Sequence, residues 1–549
     1  MNINDILKHI NLQSLKDNIK SAVLALINLI EELSSENRRL KDEIQRLRDE
    51  NNRLKGEQGK PDIKANTRKR DDISSEKNRK KKSGNKKRKQ RRKNNRIKID
   101  RTEKCSIDKN ILPDDAEFKG YKRVIVQDIT IKTDNVEFKK EIYYSPSLNK
   151  TYIAPLPGGY EGQFGPTIKG FAIILKNICN MSESRIHELF SHFGIFISMG
   201  TVSNILIKDH QLFHEEKTRI VDAGLQTTVY QATDDTKARV NGQNHHTHIL
   251  GNPYFTAYFT EQQKNRLTVL NVLTNGKELH YCLNERALGI LEQLVISKMH
   301  FKKLEILKSE HIFNQHEFES LILQKHFPKV GEQVKSKIAE AAAIAAYRKG
   351  ADRPSFKVLL CDDAPQFKQI CEVLALCWVH DGRHYKKLRP VYKYNVKTVD
   401  NFLKTYWNYY HKLLEYKKSP TNELATKLSD EFDQLFSTVT GYNELDDRIA
   451  KTIKKKEQLL VVLKYPEIPL HNNDMELGAR VCVRKRDVSL HTMTDEGTRA
   501  NDTFLTIVQT CKKLGVNPFQ YIMDRIKKTY HMPSLAQTIK YKHQTFCMA

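Results

Sequence analysis

A mixed α/β fold, a sheet flanked by helices, is what this sequence predicts, and three stretches carry the prediction. TVYQATDDT (residues 228–236) is a run of strand-forming residues that reads as ending on two adjacent acids, Asp234 and Asp235. FKVLLCDDA (residues 356–364) repeats that character and delivers Asp362 and Asp363 where the apolar run stops. HNNDMELGAR (residues 471–480) reads as helical, with Asn472, Glu476 and Arg480 at i, i+4 and i+8 on one face. Any one acid pair alone is read as a solvated turn. Two strands and a helix that each deliver an acid make a candidate three-carboxylate metal site.

Length and composition bound the rest. With 549 residues, 39% of them apolar and 8% aromatic, the chain is long enough for several domains and at least one large core. Its formal charge of +27, from 93 Lys and Arg against 66 Asp and Glu, calls for a polyanionic partner, which is nucleic acid or an anionic membrane surface. No apolar run reaches the roughly 18 residues of a membrane span, and MNINDILKHI lacks the basic-then-apolar layout of a signal peptide. The expectation is a cytoplasmic protein that engages nucleic acid and no membrane. Nine cysteines are scattered without a C-x-x-C pair, which predicts reduced thiols and no disulfide framework.

From the N-terminus, residues 20–57 carry a heptad register with Leu26, Leu33, Leu40, Leu47 and Leu54 at d and Ile30, Asn37, Ile44 and Asn51 at a. Glu36, Glu43 and Glu50 at g oppose Lys41, Arg48 and Lys55 at e′, as a parallel in-register dimer requires. Asn at a costs stability but disfavours slipped registers and higher oligomers. Residues 1–57 are therefore expected to form a leucine-zipper coiled coil that makes the chain a homodimer. Residues 58–104 are different material: between 68 and 98 there are 17 basic residues, 3 acidic ones and almost no apolar one. Such a composition predicts a disordered basic linker making sequence-independent phosphate contacts, with Lys80, Lys81, Lys82, Lys86, Lys87, Arg88, Arg91 and Arg92 as its DNA-binding residues. A bZIP protein would place a continuous basic helix before its zipper, whereas this run follows the zipper and is broken by Gly56, Gly59, Pro61 and Gly84.

Residues 105–166 read as a small β-rich module with YKRVIVQDITIK and EFKKEIYYS as strands. Residues 167–225 read as a helix-turn-helix domain. Its helices start at cap residues Ser182 and Ser198, turn at Gly194, and bury Ile186, Leu189, Phe190 and Phe193, then Val202, Ile205 and Leu206. The second helix would offer Thr201, Ser203 and Asn204 to DNA. Residues 226–500 hold the three acids. There THILGN, YFTAYFT and RLTVLNVL predict three antiparallel strands, residues about 272–352 a helical insertion, and QFKQICEVLA a helix. A second helical insertion at about 396–463 places Phe402, Tyr406, Tyr409 and Leu413 at core spacing. Residues 501–549 close the chain as a C-terminal helical element. Cys377, His380 and His384 lack a fourth ligand at a familiar interval, so no structural zinc finger is expected and His380 is placed behind the Asp362 strand as a supporting residue.

Residues 470–522, LHNNDMELGARVCVRKRDVSLHTMTDEGTRANDTFLTIVQTCKKLGVNPFQYI, resemble the C-terminal part of transposases of the insertion sequence 66 family in their Asn-Asn, Glu, Arg and Arg-Lys pattern. The resemblance extends back over the zipper, the linker, the helix-turn-helix, Asp234-Asp235-Thr236, Asp362 and the C-x-x-H run from Cys377 to His380. It implies a ribonuclease-H-like mixed sheet with helical insertions, and a bacterial, nucleoid-associated DDE enzyme. Asp234, Asp362 and Glu476 would be its catalytic and metal-binding triad, with two Mg2+ (or Mn2+) ions per site and with Asn473 and His380 supporting the ligands. The implied substrates are transposon terminal repeats and target DNA, with accessory element-encoded proteins as further partners. Arg480, Arg484, Lys485 and Arg486 stand near Glu476 in sequence and are candidates for scissile-strand phosphates, or else a solvated basic face. Two features depart from the family. Only Cys105 stands where a cysteine-based zinc module is common, and the interval from Asp234 to Asp362 is long, which the first insertion would explain. A catalytically inactive DNA-binding regulator and a stand-alone ribonuclease-H-like nuclease remain open as alternatives.

Overall fold

The computed structural model describes residues 16–54, 98–108, 113, 116–160, 162–350 and 356–548. The linker positions from Lys80 to Arg92 lie outside the described residues. Two small antiparallel pairs flank the centre: β1 (Ile142–Ser145) with β2 (Lys150–Ile153), and β6 (Tyr281–Cys282) with β7 (Ile312–Phe313). Between them in sequence begins a five-stranded mixed sheet of order β5-β4-β3-β8-β9. β3 (Tyr230–Val240), β4 (Gln243–Gly251) and β5 (Thr256–Glu261) form an antiparallel meander. β8 (Val358–Cys361) and β9 (Val373–Leu376) continue on the other side of β3, parallel to it and to each other. The expected mixed α/β class is what the chain adopts.

Alternation along the strands divides the core into two layers. Tyr230 and Ala232 of β3 share one face with Val358 and Leu360 of β8. The opposite face, with Leu359 and Cys361, is buried against α6 (Arg266–Leu273) and the Ala-rich α7 (Glu332–Lys349). Upstream lie α1 (Asp17–Leu54), then α2 (Pro166–Asn177), α3 (Glu183–His192), α4 (Met199–Ile207) and α5 (Gln211–Leu225). After β9 come α8 (Trp378–Lys386), α9 (Lys393–Tyr416), α10 (Asn422–Phe436) and α11 (Asn443–Ile453), whose Tyr406, Tyr409 and Phe432 pack around the fully buried Trp378. α12 (Asn473–Ser489) covers the Tyr230/Ala232 face through Met475 and Ala479, and approaches so closely that a Cβ on Gly478 would stand 3.0 Å from Ile249.

An edge strand exposes unpaired backbone groups, and β5 is covered by a helix. α13 (Asp495–Leu514) lays Asp502, Thr506 and Thr510 along it at helical spacing. Their side-chain oxygens accept from the N–H groups of Thr260 at 2.7 Å, Tyr258 at 3.1 Å and Thr256 at 3.3 Å. The expected division at residue 500 therefore falls inside a helix that belongs to the sheet's surroundings.

Four sequence expectations are corrected. β3 does not end on its acids: Asp234 and Asp235 pair with Ile249 and His248 and the strand runs on to Val240, so only its pairing with β8 stops before them. RLTVLNVL is helix α6, because Asn265 caps it by accepting from Thr268 N–H at 2.9 Å, a start signal outweighed in the sequence by the β-branched residues. QFKQICEVLA starts within a single 3-10 turn at Pro365–Phe367 and runs into β9, with Gln369 at φ 72° breaking any helix. YKRVIVQDITIK forms no strand; its Val124, Val126 and Ile129 are exposed and no neighbouring segment pairs with it among the described residues.

α1 is docked, and on an unexpected face. Ile27 is buried and Glu31 only 4% exposed, while Leu26, Leu33, Leu40 and Leu47 at the d positions are all about half exposed. The Glu31 carboxylate accepts from the N–H groups of Val391 at 2.7 Å and Tyr392 at 2.8 Å, at the start of α9, which has no side-chain cap of its own. Asn28 donates to the Gly441 carbonyl at 3.1 Å and accepts from Asn443 N–H. Glu31→Ala is expected to cost about 1.5 kcal/mol at this contact, since it removes the acceptor that two backbone donors share. Hydrogen exchange of the Val391 and Tyr392 amides would then speed up by about an order of magnitude; unchanged protection would show that the helix is held without Glu31.

Candidate metal centre

Asp234 and Asp362 meet because their strands are parallel neighbours. The last paired residues are Ala232 and Leu360, so each acid stands two residues beyond the last paired residue of its own segment, in phase with the face of the sheet that α12 covers. α12 is anchored one turn before Glu476. Asn472 donates its side-chain amide to the Thr233 carbonyl at 2.7 Å and its backbone N–H to the Cys377 sulfur at 3.3 Å. Glu476 N–H then bonds the Asn472 carbonyl, and the carboxylate enters the same region as the two aspartates.

The electrostatics separate the first acid of each pair from the second. Asp235 is paired with Lys264 at 2.6 Å and accepts from the Gln366 amide at 3.0 Å. Asp363 is bridged by Lys455 at 2.6 Å and Lys368 at 3.2 Å; burial opposes its ionisation, yet the two lysines hold it below the usual carboxylate range. Asp234 and Asp362 have no lysine or arginine at ion-pair distance among the described residues. Burial, reinforced by the negative charges of Asp362, Asp235 and Glu476, pushes Asp234 up to about 7. Burial also raises Asp362, with His380 opposing the rise. Asp234 and Asp362, half-buried and with no lysine or arginine at ion-pair distance among the described residues, form with Glu476 a site that a hard divalent cation would stabilise.

Glu476 is held by α8. Arg383 donates to it at 2.8 Å and also to His380 Nε2 at 2.8 Å, so the imidazole accepts at Nε2. Burial and the Arg383 charge lower the His380 pKa, with Glu476 and Asp362 opposing, and its Nδ1 lies 3.7 Å from Glu476. Cys377, His380 and Glu476 also lie within 4.8 Å of one another as a metal-compatible group. The Cys377 sulfur, however, already accepts from Asn472, and burial pushes its thiol up to about 11, which fits a packed acceptor better than a thiolate ligand.

Residues 342–500 match the family described as Transposase IS66 family. An uncharacterized protein, y4jO, of Sinorhizobium fredii is 33% identical over 307 residues, which cover 56% of this chain and 94% of that protein. The chain belongs to the IS66 transposase family. Membership makes DNA its substrate class, and the matched segment contains Asp362, His380 and Glu476 but begins after Asp234. No helix among the described residues is long and apolar enough to cross a membrane.

The other expected site residues are distributed less evenly in this IS66 chain. His380 lies 3.7 Å from Glu476, and the asparagine that ties α12 to β3 is the buried Asn472, with Asn473 half-buried beside it. Arg480 is half-buried and Arg484 exposed. Lys485 departs from the expected basic face. It is 7% exposed and donates to Asn177 of α2 at 2.6 Å, and burial together with Lys176 lowers its amine to about 7, so it joins two helices instead of facing a phosphate. Arg486 is bonded to the Lys237 carbonyl. On α4, Asn204 is exposed, Ser203 half-buried, and the Thr201 hydroxyl lies 2.9 Å from that of Ser198, whose side chain caps the helix. Arg383, Lys264 and Lys455 escaped sequence reading; Arg383, three residues after His380 on one helical turn, was the one with a positional signal.

Proposed function

We propose that the chain is a DDE-type DNA transposase that cuts the ends of a mobile element and joins the freed 3′-hydroxyl to target DNA. The observation that carries this reading is the pair Asp234 and Asp362, brought together by the adjacent parallel strands β3 and β8 next to Glu476, with no lysine or arginine at ion-pair distance of either aspartate among the described residues. The strand order, an antiparallel meander followed by two parallel strands, supports the ribonuclease-H-like reading of the core.

Asp234, Asp362 and Glu476 would hold Mg2+ or Mn2+, two ions per site. When bound, such ions supply Lewis acidity to the attacking and leaving oxygens of an in-line phosphoryl displacement. The chain's own residues prepare the place. Asn472 ties α12 to β3, Arg383 holds the Glu476 carboxylate with His380 beside it, and lysines neutralise Asp235 and Asp363. α3 and α4, with Gly194 at φ 73° between them, would serve as the helix-turn-helix, with Asn204 offering the most accessible polar tip.

Pairing of two protomers through α1 would bring two element ends into one complex. The heptad seam stays open while the opposite face of the same helix is docked on α9, so pairing and docking are compatible. Leu33→Asp with Leu40→Asp is expected to yield monomers by light scattering at micromolar concentration, with Val391 protection retained. A dimer that survives the double change would place the pairing surface elsewhere. The reading as a whole is tested by metal-dependent cutting of DNA that carries the element's ends. Cutting that ignores those ends would favour the nuclease alternative, and binding without cutting the regulator.

A further inference from the structure

Next to the acids opens a cleft of about 1440 Å³, larger than the roughly 300–1,000 Å³ of pockets that hold small ligands. Asp362, Cys377 and His380 lie at one side of it, and the wall is built from the end of α11 and the residues that follow. That wall is basic: Lys451, Lys454, Lys455 and Lys456, joined by Lys368 and Arg448. Most of these cations are committed to the protein. Lys455 and Lys368 bridge Asp363, Arg448 is paired with Asp381, and Lys456 with Asp433. Lys451 and Lys454 are exposed, and their side chains make no ion pair or hydrogen bond among the described residues. They are ammonium groups aimed at solvent in a concave surface, which is where a mobile polyanion is concentrated.

We infer that this cleft is the track along which a DNA strand reaches the acids, with Lys451 and Lys454 each neutralising one backbone phosphate. The inference deepens the transposase reading and rests on it. Three acids repel a phosphodiester, and a basic wall beside them offsets that repulsion. Lys455 fixes the distance of the wall from the acids, because its partner Asp363 is the residue after Asp362. No sequence signal singled out the run Lys454-Lys455-Lys456, which is three residues long and far weaker than the linker's basic block.

The test measures binding of the full chain to duplex DNA in EDTA between about 50 and 300 mM KCl. Each phosphate contact contributes about 0.9 to the slope of log affinity on log salt. The double variant Lys451→Ala, Lys454→Ala is expected to flatten the slope by about 2, and the control Lys404→Ala, Lys427→Ala, at exposed positions outside the cleft, to leave it unchanged. As a second readout, acetylation of the wild-type chain should show Lys451 and Lys454 protected by DNA and unprotected by millimolar inorganic phosphate. Equal slopes for the two double variants, or unprotected lysines, overturn the inference; protection by phosphate alone replaces the track with a simple anion site. The binding is measured without metal. An unchanged slope therefore sinks only the track, and cutting retained by Glu476→Gln sinks only the metal chemistry.

Discussion

Glu476→Gln is expected to lower Mg2+-dependent cutting of element-end DNA by about 10³-fold or more, with metal-free DNA binding unchanged. Removing one of three carboxylates takes away a cation ligand and its charge, and a loss of about 4 kcal/mol in transition-state stabilisation corresponds to that factor. Asp234→Asn and Asp362→Asn should behave alike. The second acids give the contrast. Asp235→Asn frees Lys264 and Asp363→Asn frees Lys455 and Lys368, so each disturbs a support and should cost only about tenfold. Cutting retained by Glu476→Gln alongside intact binding would remove Glu476 from the chemistry, and equal losses at Asp234 and Asp235 would undo the division between paired and unpaired acids.

Asp234→Asn is expected to stabilise the metal-free protein at pH 8, by about 2 to 4 kcal/mol at the level of its sheet. The sign follows from proton binding. In the unfolded chain an aspartate titrates near 4, whereas in the fold burial and neighbouring acids hold Asp234 up to about 7. The folded state thus binds the extra proton between those values. Its stability is greatest below pH 4, falls as pH rises to about 7, and is flat above. Asparagine removes that dependence, so the difference between variant and wild type in urea midpoint should vanish near pH 4 and be complete by pH 8. Part of the slope persists in the variant because Asp362 is raised as well. A difference independent of pH would mean that Asp234 is ionised throughout and already compensated.

The acid pairs stand out in the sequence because strand-forming runs that deliver carboxylates are conspicuous, whereas Lys264 and Lys455, which pair with the second acids, come from distant segments that no local pattern announces. What propensity reading missed has physical causes. RLTVLNVL looks like a strand until the Asn265 cap is counted, and QFKQICEVLA looks helical until Gln369 takes a left-handed backbone. The continuation of β3 past Asp235 depends on β4, whose pairing supplies partners that no local pattern announces. Long-range contacts were the least visible. Glu31 at the start of α9, Lys485 on Asn177 and Arg383 on Glu476 join residues between 93 and 361 positions apart, and nothing in the local sequence encodes such meetings. The helix at residues 17–54 was readable from its heptad pattern, but its docked face was not, since Asn28 and Glu31 look like ordinary solvent-facing helix residues.

Anomalous diffraction from crystals soaked in Mn2+ at pH 8 would locate any ion held by the acids. Density bounded by the carboxylates of Asp234, Asp362 and Glu476 is expected, with Glu476 turned from Arg383 toward it. A peak seated only on Cys377 and His380, or none near the aspartates at millimolar Mn2+, would contradict the three-carboxylate site.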